Sequence, residues 1–249
     1  MRLRVQRAIG CVVTSPWSSD TASPSTLRAL INPANEALIG TSRPYFPRGG
    51  PVPPRPPKGL AATSRGWGGM DAGPNMVYPA QTVDGLVHQH GGHTLKSLLQ
   101  ATAVLEVRPD GDDVRCRIGG AILTAAPTSL PFEFVAHTPT PFWPASSKPL
   151  VEYESQLAAC FVSALRLTSE AAAADGKEEL LLAVPLLGAG ARGAPALFAA
   201  RVLIRAIQAS QDLVKVPTVV RIVVPRGASE VALQAALEVE SAHAESADT

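Results

Sequence analysis

Residues 31–40 read INPANEALIG, and they continue the aliphatic-rich stretch STLRAL of 25–30. Aliphatic and β-branched residues suit a half-buried pleated strand; asparagine does not. A strand predicted over 25–33 therefore runs out into two amides, Asn32 and Asn35. On these residues alone two explanations stand. The amides cap the next segment, a task asparagine performs well. Alternatively they face a ligand, because open α/β sheets bind ligands beyond the carboxyl ends of their strands.

The rest of the chain supplies the sheet that such a strand needs. Further buried strands are predicted in QRAIGCVVTS (6–15), RIGGAILTAAP (117–127), FEFVAHTPTP (132–141), ELLLAVPLL (179–187) and TVVRIVVP (218–225). Helical periodicity marks the stretch beginning at Val83, the amphipathic run 150–176 ending at Gly176, and the runs 194–210 and 228–240. Continuous apolar strands alternating with helices predict an α/β fold, a three-layer α/β/α sandwich on a mixed, mostly parallel sheet. The 249 residues suit a single domain over 1–240 with a disordered tail at 241–249. Residues 41–81 read as an insertion. GGPVPPRPPKG (49–59) cannot be helix or central strand, since its prolines fix φ and lack donors.

Composition excludes several classes. A net charge of +1 with interspersed signs gives no nucleic-acid footprint. No apolar run of transmembrane length is read; the longest candidate, from Leu180, is interrupted by Pro185, Arg192 and Pro195, so no membrane partner is expected. Cys11, Cys116 and Cys160 are scattered and odd in number, which predicts a reducing, intracellular setting, cytoplasmic or nuclear.

Three segments carry chemistry. The first is the asparagine exit already quoted. The second is GAGARG, Gly188 to Gly193 (Gly188, Ala189, Gly190, Ala191, Arg192, Gly193), between a buried strand and a helix. Small residues let backbone N–H groups approach phosphate oxygens. The pattern satisfies GxGxxG, but the acid at about the dinucleotide-site spacing, Asp212, precedes the next strand instead of ending it. The third is TVDGLVHQHGGHTL (82–95). Asp84 reads either as an N-cap or as a site carboxylate. HQHGGH offers three imidazoles, but Gly91 and Gly92 interrupt the helix and no Cys or acid cluster completes a shell, so neither metal nor cofactor is expected.

In this order, the three segments resemble the macro domain, the ADP-ribose-binding module. INPANEALIG is similar to the family's NAAN-like strand exit, VDGLVHQHGG to its VDGAIHRAAG-like helix start, and VPLLGAGARGAP to its second glycine loop. His137 falls in the histidine position of the intervening strand pair. The resemblance covers about residues 8–240. It implies a ligand, ADP-ribose or ADP-ribosylated protein, and it implies roles. Asp20, next to Thr21, would accept from the adenine amino group. Asn35, beside Asn32, would hold the distal ribose. Val83, Asp84, Gly85 and Leu86 would cradle the phosphates and distal ribose, and Gly188–Gly193 would form the second diphosphate loop. In the hydrolytic, MacroD-like branch, Asn35 and Asp84 would be the catalytic pair for mono-ADP-ribosyl hydrolysis or O-acetyl-ADP-ribose deacetylation. Three departures stand out: the long insertion, Gly188-Ala189 in place of Ser-Thr, and Arg192 in place of the aromatic that packs on the distal ribose.

Overall fold

The computed structural model describes residues 3–17, 23–41, 46–48, 76–109, 111–143 and 150–247. Asp20, Thr21 and the interior of the insertion lie outside these residues. The chain begins with strands β1 (Leu3–Ile9) and β2 (Thr26–Ala34), then two short strands, β3 (Phe46–Pro47) and β4 (Met76–Val77). Helix α1 (Val83–Gln100) leads to the small ribbon β5 (Glu106–Val107) and β6 (Asp113–Val114), then to β7 (Ile122–Ala125) and β8 (Phe134–Pro139). The remainder alternates α2 (Leu150–Ala174), β9 (Glu179–Val184), α3 (Ala196–Gln208), β10 (Thr218–Val224) and α4 (Ala228–Ala247).

Six strands form one sheet in the order β1-β10-β9-β2-β8-β7. Only β7 runs antiparallel, against β8. Strand alternation sorts the core. Leu27, Ala29 and Ile31 of β2 face a large apolar cluster with α2, α3 and α4 residues, among them Phe161, Leu203 and Leu233. Leu30 and Ala34 face the opposite side, where Val87, Leu95 and Leu99 of α1 cover the sheet. The three layers expected from the sequence are present.

The structure corrects four readings. The first strand is Leu3–Ile9 rather than 6–15; Val12 and Val13 are buried in a turn, and burial alone gives the same apolar run as a strand. The final helix runs on through Ala247, past the helix end read at 240. The 25-residue α2 is long and apolar enough by composition to cross a membrane; its buried residues pack on the sheet instead. Finally, Asp84 does not cap α1. Thr82 does, its hydroxyl accepting from the Gly85 N–H at 3.0 Å. The interruption expected at Gly91 and Gly92 is present within α1, where Gly92 has φ 52° and ψ −141°.

Candidate functional site

β9, β2 and β8 are neighbours and parallel, so their carboxyl ends open on one edge of the sheet. Asn32 and Asn35 sit at or just past the end of β2, His137 lies within β8, and Gly188–Gly193 follows β9. Residues Val83–Leu86, the first turn of α1, lie over the same edge, with Asp84 hydrogen-bonded to Asn32. The structure thus brings together the described residues of all three motifs.

The two asparagines do different work. Asn32 and His137 are directly paired across β2 and β8 and are both fully buried. Asn32 Nδ2 donates to Asp84 Oδ1 at 2.8 Å and lies 3.1 Å from His137 Nδ1. Asn35 serves its own turn: its Nδ2 donates to the Gly40 carbonyl at 2.6 Å, and its Oδ1 accepts from Ile39 N–H at 3.3 Å. That turn is strained. Leu38 adopts φ 56°, an uncommon value for a side chain with a Cβ, and Gly40 adopts φ 67°. A Cβ on Gly40 would sit 2.8 Å from the His88 ring, so this position needs glycine for space as well as conformation.

Asp84 is the electrostatic centre of the site. Its side chain is 15% exposed and stands in the first turn of α1, where the helix dipole favours a carboxylate. Burial pushes its pKa above the ordinary carboxylate value, opposed by His88, by the Asn32 hydrogen bond and by Arg192. His88 Nε2 is 3.5 Å from Asp84 Oδ1, within ion-pair reach but not hydrogen-bonded. The buried His137 is held neutral, its pKa pulled down to about 3 by burial and by His88.

Arg192 neither points into solvent nor hangs free. Its Nη2 donates to the Ala34 carbonyl at 2.9 Å, and its guanidinium lies 4.1 Å from the Phe142 ring centroid. Its backbone carbonyl accepts from Trp143 N–H at 2.8 Å. Burial lowers its pKa, with Asp84 and Glu36 opposing. The side chain therefore bolts the glycine loop to the end of β2. Arg48 clasps the loop from outside: Nη2 donates to the Ala189 carbonyl at 2.7 Å and Nε to the Gly190 carbonyl at 3.2 Å. Within the loop, Gly188 has φ 82°, and a Cβ there would meet the Tyr153 hydroxyl at 2.7 Å.

Arg48, Thr124, Phe142 and Tyr153 escape a motif reading because their roles arise only on folding. Thr82 does carry a local signal, a threonine three residues before Gly85 at a helix start. Among the described residues, four buried polar atoms without a hydrogen-bond partner belong to this neighbourhood: Asn32 Oδ1, His88 Nε2, Thr140 Oγ1 and Tyr153 Oη. Buried polar groups are ordinarily satisfied, so these four atoms are available to pair with a ligand or with water. Among the described residues, no group of three His, Cys, Asp or Glu side chains is placed to hold a metal ion.

The fold is shared with solved structures. The macrodomain of Oceanobacillus iheyensis, in a structure with MES bound, superposes with a TM-score of 0.62 at 19% identity, over 96% of this chain and 93% of that one. The same macrodomain with ADP gives 0.62 at 19% identity, over 96% and 92%. The Trypanosoma brucei macrodomain in complex with ADP-ribose gives 0.51 at 15% identity, over 94% and 69%. No curated protein matches the chain by sequence. The family model described as Macro domain matches residues 72–203, which hold α1, strands β8 and β9, and the glycine loop. With the sheet order and the clustered motifs, that match places this chain in the macro domain family.

Proposed function

We propose that this chain binds ADP-ribose, free or attached to protein, and that Asp84 assists hydrolysis of the ADP-ribosyl linkage. The observation that carries the reading is the Asp84 carboxylate, buried at a helix start between Asn32, His88 and Arg192 and facing the glycine loop's edge of the sheet. The glycine loop Gly188–Gly193 and the helix start Val83–Leu86 suit a diphosphate. Solved relatives carry ADP and ADP-ribose, which supports the ligand class. Cleavage at an anomeric carbon passes through an oxocarbenium-like state. A carboxylate with a raised proton affinity is suited to orienting or activating the attacking water. Three free thiols support an intracellular setting.

A second reading is a reader that binds without turnover. One observation favours it: the Asn35 amide is taken up by its own turn, so one member of the expected catalytic pair is engaged elsewhere. Calorimetry with ADP-ribose and AMP tests the ligand, and tighter binding of ADP-ribose is the expected result. Release of ADP-ribose from a mono-ADP-ribosylated protein tests the chemistry. Asp84→Ala should slow release by about 10²–10⁴-fold while binding persists. Wild-type protein that binds ADP-ribose and shows no release decides for the reader.

A further inference from the structure

We propose that His137 is the positioning residue of this site: by accepting from Asn32 at Nδ1, it fixes the Asn32 amide so that its second N–H must be presented to Asp84. The inference rests on the reading of Asp84 as the functional carboxylate, and it adds a part that the strand-end motifs do not contain.

The geometry leaves little freedom. Four groups form a chain across three elements of the sheet and the first turn of α1. Thr124 Oγ1 of β7 lies 3.0 Å from His137 Nε2, His137 Nδ1 lies 3.1 Å from Asn32 Nδ2, and Asn32 Nδ2 lies 2.8 Å from Asp84 Oδ1. An amide nitrogen only donates, so His137 Nδ1 is the acceptor. The ring is neutral in its buried setting and carries one proton. That proton is therefore on Nε2, donated to the Thr124 hydroxyl. Both Asn32 N–H bonds are then committed, one to His137 and one to Asp84, and Asn32 Oδ1 is left buried without a partner.

The unpartnered oxygen is the informative atom. Rotating the amide by half a turn would put Oδ1 against both the Nδ1 lone pair and the Asp84 carboxylate. That arrangement is repulsive unless His137 moves its proton to Nδ1 and Asp84 is itself protonated. The imidazole tautomer, the amide orientation and the charge on Asp84 are thus one coupled choice, and Thr124 sets it from the edge strand by accepting from Nε2. The other charged or titratable groups facing Asp84 are His88 of α1, whose Nε2 lies 3.5 Å from the same Oδ1, and Arg192 of the glycine loop, and both are unchanged in the variants below.

The test uses isosteric replacements that separate the two ring nitrogens. In His137→Asn, the side-chain oxygen can take the place of Nδ1; in His137→Gln, the polar end takes the place of Nε2. The readout is the titration midpoint of the Asp84 carboxylate in the ligand-free protein. It is followed by carbon NMR of aspartate-labelled samples, with Asp84→Asn assigning the signal. A hydrogen bond to a charged group corresponds to a midpoint shift of about 1–2 pH units. His137→Gln should raise the midpoint by that amount, and His137→Asn should restore it toward wild type. Equal midpoints in the two variants, or no shift in either, would overturn the proposal. If His137→Gln does not fold, Thr124→Val on the half-buried edge strand serves instead. Loss of the Nε2 acceptor should raise the Asp84 midpoint in the same direction, and an unchanged midpoint overturns the proposal. The titration needs neither ADP-ribose nor turnover. A shifted midpoint in a protein that fails to bind ADP-ribose would sink the functional reading and leave the relay standing.

Discussion

The two faces of this sheet are built on opposite terms. On the side of α2, α3 and α4, strand residues such as Leu27, Ile31, Leu182 and Val220 meet Phe161, Leu165 and Leu203, and the buried hydroxyls of α2, Thr168 and Ser169, are each hydrogen-bonded to backbone. On the side of α1, the same strands contribute Leu30, Ala34 and Val135, but also Asn32 and His137, both fully buried, next to Asp84 and His88 of the helix. The first face is stabilised by area removed from water. The second buries amide, imidazole and carboxylate, and each of these costs free energy unless a partner satisfies it. A fold under selection for stability alone would not populate one face in this way. The contrast teaches that the α1 face carries the site and the other face carries the stability.

That contrast can be broken from the apolar side first. Phe161→Ala, at a residue with no exposed surface, should cost about 3–5 kcal/mol in urea denaturation. ADP-ribose affinity of the folded fraction should be unchanged. A large affinity loss at constant fold would mean that the two faces are coupled.

The next effect is acid sensitivity from the polar side. His137 has an ordinary value of 6.5 and a folded value of about 3. The folded state therefore binds a proton less readily than the unfolded chain, so the stability from this group is complete above 6.5 and is lost as pH falls toward 3. The slope should approach about 1.4 kcal/mol per pH unit below 6.5. Urea midpoints collected from pH 4.5 to 8 measure it, and His137→Asn should flatten the curve. An identical slope in the variant would assign the acid sensitivity to another group.

A smaller effect is expected at Arg192. If its guanidinium swings from the Ala34 carbonyl to a bound diphosphate, the charge-assisted bonds contribute about 1.5–3 kcal/mol. Arg192→Tyr should then weaken ADP-ribose binding by roughly tenfold or more at low salt and reduce its salt dependence. Unchanged or tighter binding would show that the arginine bolts the loop and takes no part in holding the ligand. Last comes Asp84, whose folded value lies above 3.8. Its contribution to stability is present below 3.8 and is lost as pH rises through the folded value. Asp84→Asn should remove that decline in denaturation curves taken upward from pH 4, and a decline equal to that of wild type would contradict the burial argument.

How much of this was legible from the residues alone follows from range. Strand β2, the helix start at Val83 and the strand–glycine loop–helix run at 179–208 each write their signal in consecutive residues, and each is found where the sequence puts it. Asn32 and Asp84 were legible as residue types that do not belong in a core. Their mutual bond was not, because 52 positions separate them and no local pattern pairs them. The same limit hid Thr124 behind His137, and Arg48 behind a proline-rich segment that offers no periodicity. Asn35 shows another limit: the motif was legible, but the bonds from its amide to the Gly40 carbonyl and from the Ile39 N–H to its oxygen are set by the turn in three dimensions.

The short ribbon of β3 and β4 has its own consequence. Phe46 pairs with Val77 and Pro47 with Met76, so the chain departs for the insertion and returns from it at one seam. Closing a loop costs entropy that grows only with the logarithm of its length. The closure entropy of whatever lies between the two halves of the seam therefore changes little with its length. Arg48, one residue past β3, ties that seam to the carbonyls of Ala189 and Gly190. The entry to the insertion is thereby fastened to the glycine loop, so a change of length in the insertion reaches the rim of the site through Arg48 before it reaches the sheet.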